Sequence, residues 1–166
     1  MLSSTKQIVQ IQQIVAALCS CYGDAIESQT FAFPSASKLA SLTESQLRAC
    51  KMGFRAPYLL ETARIIASNQ LNLESIRSLS TAKARETLCE LPGVGEKIAN
   101  CVLLFAYGFQ DAFPVDVWVQ KAIRQLYFPK RKPTDKRLKK FVQTHFGPNA
   151  GYAQQYLFHY MRTQRL

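Results

Sequence analysis

The stretch LPGVGEKIANC (residues 91–101) decides the fold, because it joins two helix-forming segments through a short turn. Gly93 and Gly95 have no Cβ atoms, so another chain or a ligand can approach the backbone of this turn closely. The unpaired N–H groups at the start of the second helix form a site for anions. The sequence therefore predicts a helix, a tight turn and a second helix over about residues 81–107.

Lys97 lies at the start of the second helix, where the helix dipole disfavours a cation. A lysine that extends into solvent tolerates this small electrostatic cost. Alternatively, the positive end of the helix favours the neutral amine, which is a nucleophile. Both interpretations of Lys97 are open at this point.

Apolar residues recur at helical spacing along most of the chain. At the amino terminus Ile8, Ile11, Val15 and Leu18 have this spacing, and Gly23 ends the segment as a helix C-cap does. No alternating run of strand length stands out, and the connections are short Pro/Gly turns. The sequence therefore predicts an all-α fold, with further helices near residues 37–41, 43–50, 55–69, 73–79, 81–90, 96–107, 117–127, 135–146 and 150–164.

Several of these segments are preceded by residues that cap helices. Side chains of Ser, Thr and Asp accept hydrogen bonds from the first N–H groups of a helix. The predicted caps are Thr43 with Gln46, Thr81, Asp116, and Thr134 with Asp135.

Composition indicates the class of partner. The chain has 166 residues, enough for one domain or for two small lobes of one domain. It carries 21 Lys and Arg against 11 acidic residues, a net charge of +10. This balance favours a polyanionic partner, foremost a nucleic acid, although an acidic protein or an anionic membrane surface also fits.

The cysteine pattern argues against a metal site. The five cysteines include no C-x-x-C pair, and the chain has only two histidines. Reduced intracellular thiols explain this pattern better than disulfides or zinc, so we expect no catalytic metal and no cofactor. No apolar run is long enough to span a membrane and no secretory signal pattern occurs, so we expect an intracellular protein.

Asp116 follows Lys97 by nineteen residues, in the stretch AFPVDVWVQ (residues 112–120). An aspartate directly before a helix is sufficiently explained as its cap. A carboxylate near Lys97 would also stabilise positive charge that develops on a sugar. Each residue alone is ordinary, and the pair favours a chemical role.

LPGVGEK followed by PVD resembles the helix-hairpin-helix, Gly/Pro-Asp superfamily of DNA glycosylases. In that family the turn grips the DNA backbone and the aspartate lies at the catalytic centre. With a lysine in the hairpin, the sequence resembles the branch of this family that includes endonuclease III and the 8-oxoguanine glycosylases. No cysteine follows Cys101, whereas endonuclease III and the adenine glycosylases usually carry four C-terminal cysteines for an iron–sulfur cluster. The resemblance thus implies a two-lobed helical core, residues 1–166, of the 8-oxoguanine branch.

The resemblance also implies a reaction. Lys97 would attack C1′ of the deoxyribose, displace the oxidised base and form a Schiff base. Asp116 would stabilise the charge on the sugar, and β-elimination would then nick the strand. We expect a bifunctional glycosylase and abasic-site lyase that acts as a monomer on double-stranded DNA containing a damaged base.

Further residues follow from the same resemblance. MGFRAPYLLETARII (residues 52–66) resembles the segment that places an aromatic wedge, Phe54, and an arginine, Arg55, beside the orphaned base. Trp118 stands where some relatives have a histidine beside the DNA backbone. As simpler alternatives, Phe54 is a core residue and Trp118 merely packs.

The base pocket is implied by FGPNAGYAQQYLFHY (residues 146–160), which resembles the helix lining the lesion pocket. Gln154 would face the polar edge of the flipped base, Phe158 one of its faces and Cys101 the other. Each of these also has an ordinary explanation, as a solvated helix residue or as packing.

Two departures from the family pattern leave questions open. Larger members carry an N-terminal β-rich lobe and a further helix, so either this core is minimal or its amino terminus is incomplete. Where relatives insert asparagines, this chain has Thr5, Lys6 and Gln7, which leaves the opposite-base preference open. A DNA-binding module without catalysis and a glycosylase for oxidised pyrimidines are the alternative functions.

Overall fold

The computed structural model describes residues 1–2 and 7–164. This part of the chain is mostly helical, which confirms the all-α prediction. Its α-helices are α1 (Ile8–Tyr22), α2 (Ala36–Ala40), α3 (Glu44–Ala49), α4 (Ala56–Ala67), α5 (Thr81–Cys89), α6 (Glu96–Val102), α7 (Val117–Tyr127), α8 (Asp135–His145) and α9 (Ala150–Thr163). Short 3-10 helices occupy Gly53–Arg55, Glu74–Ser78 and Gly147–Asn149. The predicted helix 96–107 is α-helical to Val102 and continues as a π-helical turn, Leu103–Tyr107.

A small antiparallel ribbon corrects the prediction that strands are absent. Its strands are β1 (Ala25–Glu27) and β2 (Thr30–Phe31), with Ala25 opposite Phe31. All of its residues are exposed, so no buried alternation marks them in the sequence. Gly23 ends α1 in an extended conformation, and a Cβ atom there would lie 1.9 Å from the Ala32 carbonyl oxygen.

Most predicted caps are confirmed. Thr43 and Gln46 form a reciprocal capping box, and the Thr134 hydroxyl accepts from the N–H of Arg137. The prediction for Thr81 is wrong, because Thr81 is the first residue of α5 and its hydroxyl donates to Asp111 Oδ1 at 2.7 Å.

The chain divides into two compact units, which we describe separately. The first comprises Met1–Ile76 and Glu90–Gly93. Its core is built from α1, α2, α3 and α4, with Ile14, Leu18 and Leu47 almost completely buried. Ile8, the first residue of the predicted apolar series, is 55% exposed, and the buried face of α1 is centred on Ile14 and Leu18.

The second unit comprises Arg77–Cys89 and Val94–Leu166. Its core joins α7, α8 and α9 to the segment before α7, through buried residues such as Phe113, Val119 and Leu157. Helices α5 and α6 belong to this unit, and Lys97 lies on α6. Among the residues described, no helix is both long and apolar enough to cross a membrane.

Candidate active site

The predicted helix-hairpin-helix is present, and its two glycines differ in their role. Gly93 has φ +72, and a Cβ atom there would lie 2.8 Å from the ring of Tyr58, so the turn requires glycine. Gly95 is the N-cap of α6 with φ −98, is exposed, and has no atom within 4 Å of where a Cβ atom would lie. Gly95 therefore leaves the N-terminus of α6 open to a ligand such as a phosphate.

Lys97 lies in the first turn of α6, and its side chain is exposed. The neighbouring Glu96 carboxylate does not pair with it, because Glu96 accepts a 2.6 Å hydrogen bond from Lys139 on α8. The amine of Lys97 is thus placed at the surface of the second unit, next to the open turn.

Asp116 is the N-cap of α7, as predicted. Its Oδ1 accepts from the N–H groups of Trp118 at 3.0 Å and Val119 at 2.8 Å. The side chain is half-buried. Both cap bonds end on one oxygen, so the second oxygen is not used by the cap.

The charges of Lys97 and Asp116 both act on the Cys101 thiol. It lies one turn after Lys97 on α6 and is half-buried. Burial raises the pKa of the Cys101 thiol; the Lys97 charge opposes this rise and the Asp116 charge adds to it. Cys101 therefore lies within electrostatic range of both Lys97 and Asp116.

Gln154 and Phe158 lie one turn apart on α9, in the same unit. Gln154 is only 4% exposed, and its carbonyl oxygen accepts from the side-chain amide of Gln155. Phe158 is half-buried against the core of this unit, and the guanidinium of Arg162 lies 5.6 Å from its ring centroid. Their assignment to a base pocket stays a prediction.

Phe54 and Arg55 belong to the first unit and lie on the 3-10 helix Gly53–Arg55. Phe54 is 56% exposed, so it is available to contact a ligand. Arg55 is 3% exposed; its Nη1 donates to the Met52 carbonyl at 3.4 Å and its guanidinium carbon lies 4.3 Å from the Phe54 ring centroid. A contact between Arg55 and DNA therefore requires the guanidinium to become exposed, and stays a prediction.

Trp118 is half-buried in the first turn of α7. Its backbone N–H donates to Asp116, and the ammonium of Lys121 lies 5.6 Å from its ring centroid. A contact between Trp118 and the DNA backbone also stays a prediction.

Asn100 is a residue of the site that the sequence analysis missed. It is 7% exposed, its side-chain amide donates to the Phe113 carbonyl at 3.4 Å, and its oxygen accepts from Arg85 Nη1 at 3.3 Å. Because Asn100 lies on α6 and Phe113 precedes Asp116, this side chain attaches the segment before Asp116 to α6. The signal in the sequence is weak: a polar residue on the otherwise apolar face of α6.

A cavity of about 580 Å³ lies in the second unit beside the start of α6. Lys97, Asn100, Arg85 and Phe113 are among its lining residues. Within the described chain, its lining does not include the side chains predicted to recognise the base. The cavity therefore adjoins Lys97 without being the predicted base pocket.

The chain is similar to known DNA repair proteins. The model of the HhH-GPD superfamily of base excision DNA repair proteins matches residues 1–148. A probable N-glycosylase/DNA lyase of Methanothermobacter thermautotrophicus is 39% identical over 122 residues, which cover 74% of this chain and 38% of that protein. The N-glycosylase/DNA lyase OGG1 of Arabidopsis thaliana is 31% identical over 169 residues, covering 94% of this chain and 46% of its own.

The solved structures include 8-oxoguanine glycosylase/lyase of Clostridium acetobutylicum in complex with double-stranded DNA containing cytosine opposite 8-oxoguanine. It superimposes with a TM-score of 0.92 at 36% identity and covers 99% of this chain and 58% of that one. The chain spans less than half the length of the Methanothermobacter thermautotrophicus and Arabidopsis thaliana proteins.

Proposed function

The chain belongs to the HhH-GPD superfamily of base excision DNA repair proteins, and we propose that it is a glycosylase that removes 8-oxoguanine from duplex DNA and an abasic-site lyase. The observation that carries this proposal is the position of Lys97 in the first turn of α6, beside the open turn at Gly95, with Asp116 at the N-cap of α7 in the same unit. The likeness to N-glycosylase/DNA lyases and to an 8-oxoguanine glycosylase/lyase supports the substrate class.

Binding to duplex DNA would begin at the turn. The exposed N–H groups at the start of α6 donate hydrogen bonds to a backbone phosphate, and the net charge of +10 attracts the duplex without reading its sequence. We assign residues 1–166 to one catalytic domain that acts as a monomer. Its DNA substrate places the protein in the compartment that holds the genome.

The reaction needs the damaged base outside the helix, because the sugar is not accessible in stacked duplex. The neutral amine of Lys97 adds to C1′, the bond between C1′ and the base breaks, and the base leaves with a proton. Asp116 stabilises the positive charge on the sugar through the oxygen that the cap does not use. Opening of the sugar ring gives a Schiff base, and β-elimination then breaks the C3′–O bond.

Other predicted residues would recognise DNA around this centre. Cys101 and Phe158 would hold the two faces of the flipped base, and Gln154 its polar edge. Phe54 would fill the space that the flipped base leaves in the duplex, and Arg55 would lie beside the base that has lost its partner. Trp118 would contact the backbone.

Borohydride trapping tests the proposal. Incubation with an 8-oxoguanine duplex and borohydride should yield a covalent protein–DNA adduct. Lys97→Gln should bind the duplex and give no adduct, whereas Lys83→Gln, a change at an exposed lysine that pairs with Glu86, should trap like the unaltered protein.

Two further duplexes complete the experiment. If only a duplex with an oxidised pyrimidine is trapped, the lesion assignment is wrong. If no lesion is trapped while lesion-containing and undamaged duplexes bind equally, the chain is a DNA-binding module. Equal trapping by Lys97→Gln would refute the role of this lysine.

A further inference from the structure

Much of the positive charge of the chain is concentrated in one short segment. Residues 130–140 hold seven of the 21 Lys and Arg and one of the 11 acidic residues, so most of the net charge of +10 comes from this segment. Five of the seven cations form what we call the basic surface, and all five are exposed: Lys130, Arg131, Lys132, Lys136 and Lys140. Among the residues that the structure describes, no carboxylate lies within ion-pair distance of these five.

The other two cations of the segment have partners within the protein, and these contacts hold the basic surface in place. Lys139 Nζ donates to Glu96 Oε1 at 2.6 Å, which places α8 beside the start of α6 in the same compact unit. The guanidinium carbon of Arg137 lies 5.1 Å from the ring centroid of Phe128, the residue that ends α7. The basic surface is therefore fixed next to the hairpin turn.

The positions of Lys136 and Lys140 are unfavourable for the protein alone. They lie one turn apart on α8, and like charges at this spacing destabilise a helix. Lys136 also lies in the first turn of α8, at the positive end of the helix dipole. A bound anion would relieve both repulsions, so the arrangement favours an anionic partner over a surface that is only solvated.

We propose that the basic surface binds the phosphate backbone of duplex DNA outside the lesion site and so extends the phosphate site of the hairpin. The inference rests on the proposed function for the identity of the polyanion. Duplex DNA carries one negative charge per about 1.7 Å of helix axis, so a duplex held at the start of α6 presents further phosphates to the neighbouring α8. Lysine and arginine contact phosphates without reading bases. The surface therefore adds affinity for every sequence, damaged or not.

An anionic membrane is the competing polyanion. Helices that lie on membranes combine basic residues with exposed apolar ones. Leu138, the large apolar residue of this segment, is buried. The basic surface thus offers electrostatic contacts alone, which fits a phosphate backbone better than a lipid surface.

The test measures binding of the full chain to an undamaged duplex by fluorescence anisotropy at several salt concentrations. The surface variant, Lys132→Gln with Lys136→Gln and Lys140→Gln, should reduce the slope of log Kd against log salt by about 2–3, because each lost phosphate contact reduces it by about 0.9. Replacing the same three lysines by arginine keeps the charges and should retain the slope.

A control variant removes the same number of charges elsewhere. Lys38→Gln with Arg48→Gln and Lys83→Gln changes exposed residues of α2, α3 and α5, and should reduce the slope by less than about 1. Thermal unfolding checks that both variants are folded, and the loss of like charges should not lower the Tm of the surface variant.

Two results would overturn the inference. If the surface variant reduced the slope no more than the control variant, only the net charge would act and the local site would not exist. If the surface variant kept the slope but lost binding to phosphatidylserine vesicles, the partner would be a membrane. Because the duplex is undamaged, both results are independent of glycosylase activity, so a failure of this inference is distinguishable from a failure of the proposed function.

Discussion

Replacing Asn100 should separate the two catalytic candidates without touching either. The Asn100 amide donates to the Phe113 carbonyl at 3.4 Å, three residues before Asp116, and Asn100 lies one turn after Lys97. Its oxygen accepts from Arg85 at 3.3 Å. Asn100→Ala removes both bonds, so the segment that leads to Asp116 loses its attachment to α6.

The size of the effect follows from these contacts. Each polar group left unsatisfied after the substitution costs about 1–3 kcal/mol when it is buried. Arg85 is half-buried and both bonds are long, so we expect a loss of about 2 kcal/mol in total. For a chain of this size such a loss lowers Tm by about 4–8 °C. A displacement of Asp116 by about 1 Å would reduce the chemical step by roughly 100-fold.

The assay separates the two effects. Excision of 8-oxoguanine is measured in single turnover with saturating protein, well below Tm, alongside thermal unfolding. Asn100→Asp keeps the acceptor for Arg85 but places an acceptor opposite the Phe113 carbonyl, so its rate should fall at least as far as that of Asn100→Ala. Asn149→Ala, whose side chain makes no cap bond, is the control and should change neither quantity.

One result would refute the positioning argument. If both Asn100 variants lost stability but excised at the unaltered single-turnover rate, the side chain would support the fold alone. The Lys97 and Asp116 geometry would then have to be fixed by other contacts of α6 and α7.

Three other predictions concern the site. Asp116→Asn retains a good helix cap, so stability should change by less than about 1 kcal/mol while strand nicking falls by roughly 100-fold or more. If the variant nicked DNA within a fewfold of the unaltered protein, the carboxylate would be only a cap. Gly95→Ala places a Cβ atom in open space and only weakens an N-cap, so stability should change by less than about 1 kcal/mol while duplex affinity, measured by fluorescence anisotropy, falls about tenfold. Unchanged affinity would remove the turn from the DNA interface. Phe158→Ala should weaken excision of 8-oxoguanine, and Gln154→Ala should reduce discrimination among bases. In both variants, cleavage of a duplex with a ready-made abasic site should be much less affected. A parallel loss of excision and abasic-site cleavage would assign these residues to the fold.

Local signals account for the parts of the fold that the sequence predicted well. Helix bounds follow from apolar spacing and from caps such as Thr43 and Asp116, which depend only on residues within one turn. The prediction at Thr81 failed because the preceding residue, Ser80, accepts the cap bond from the N–H of Lys83, while the Thr81 hydroxyl donates to Asp111. The ribbon β1–β2 was missed since its exposed residues have no buried alternation.

Burial at the site was less predictable than position. The motif located Gly95, Lys97 and Asp116, because the chemistry of a helix start restricts which residues serve there. The sequence around Phe54 did not indicate that Phe54 is exposed while its neighbour Arg55 is buried. Adjacent residues on a 3-10 helix point in different directions, and which of them faces the core depends on packing by distant residues.

Asn100 shows why the remaining part of the site needs the structure. Its role depends on the carbonyl of Phe113, thirteen residues away, and a backbone carbonyl leaves no trace in the amino-acid sequence. An asparagine within a helix reads as a mild helix destabiliser or a solvated residue, since its amide commonly bonds to water or to nearby backbone. The structure shows that Asn100 is 7% exposed and that its amide nitrogen and oxygen bond to Phe113 and Arg85. The segment before Asp116 is therefore attached to α6 by a tertiary contact that the motif does not contain, and the Asn100 variants test whether this contact positions Asp116.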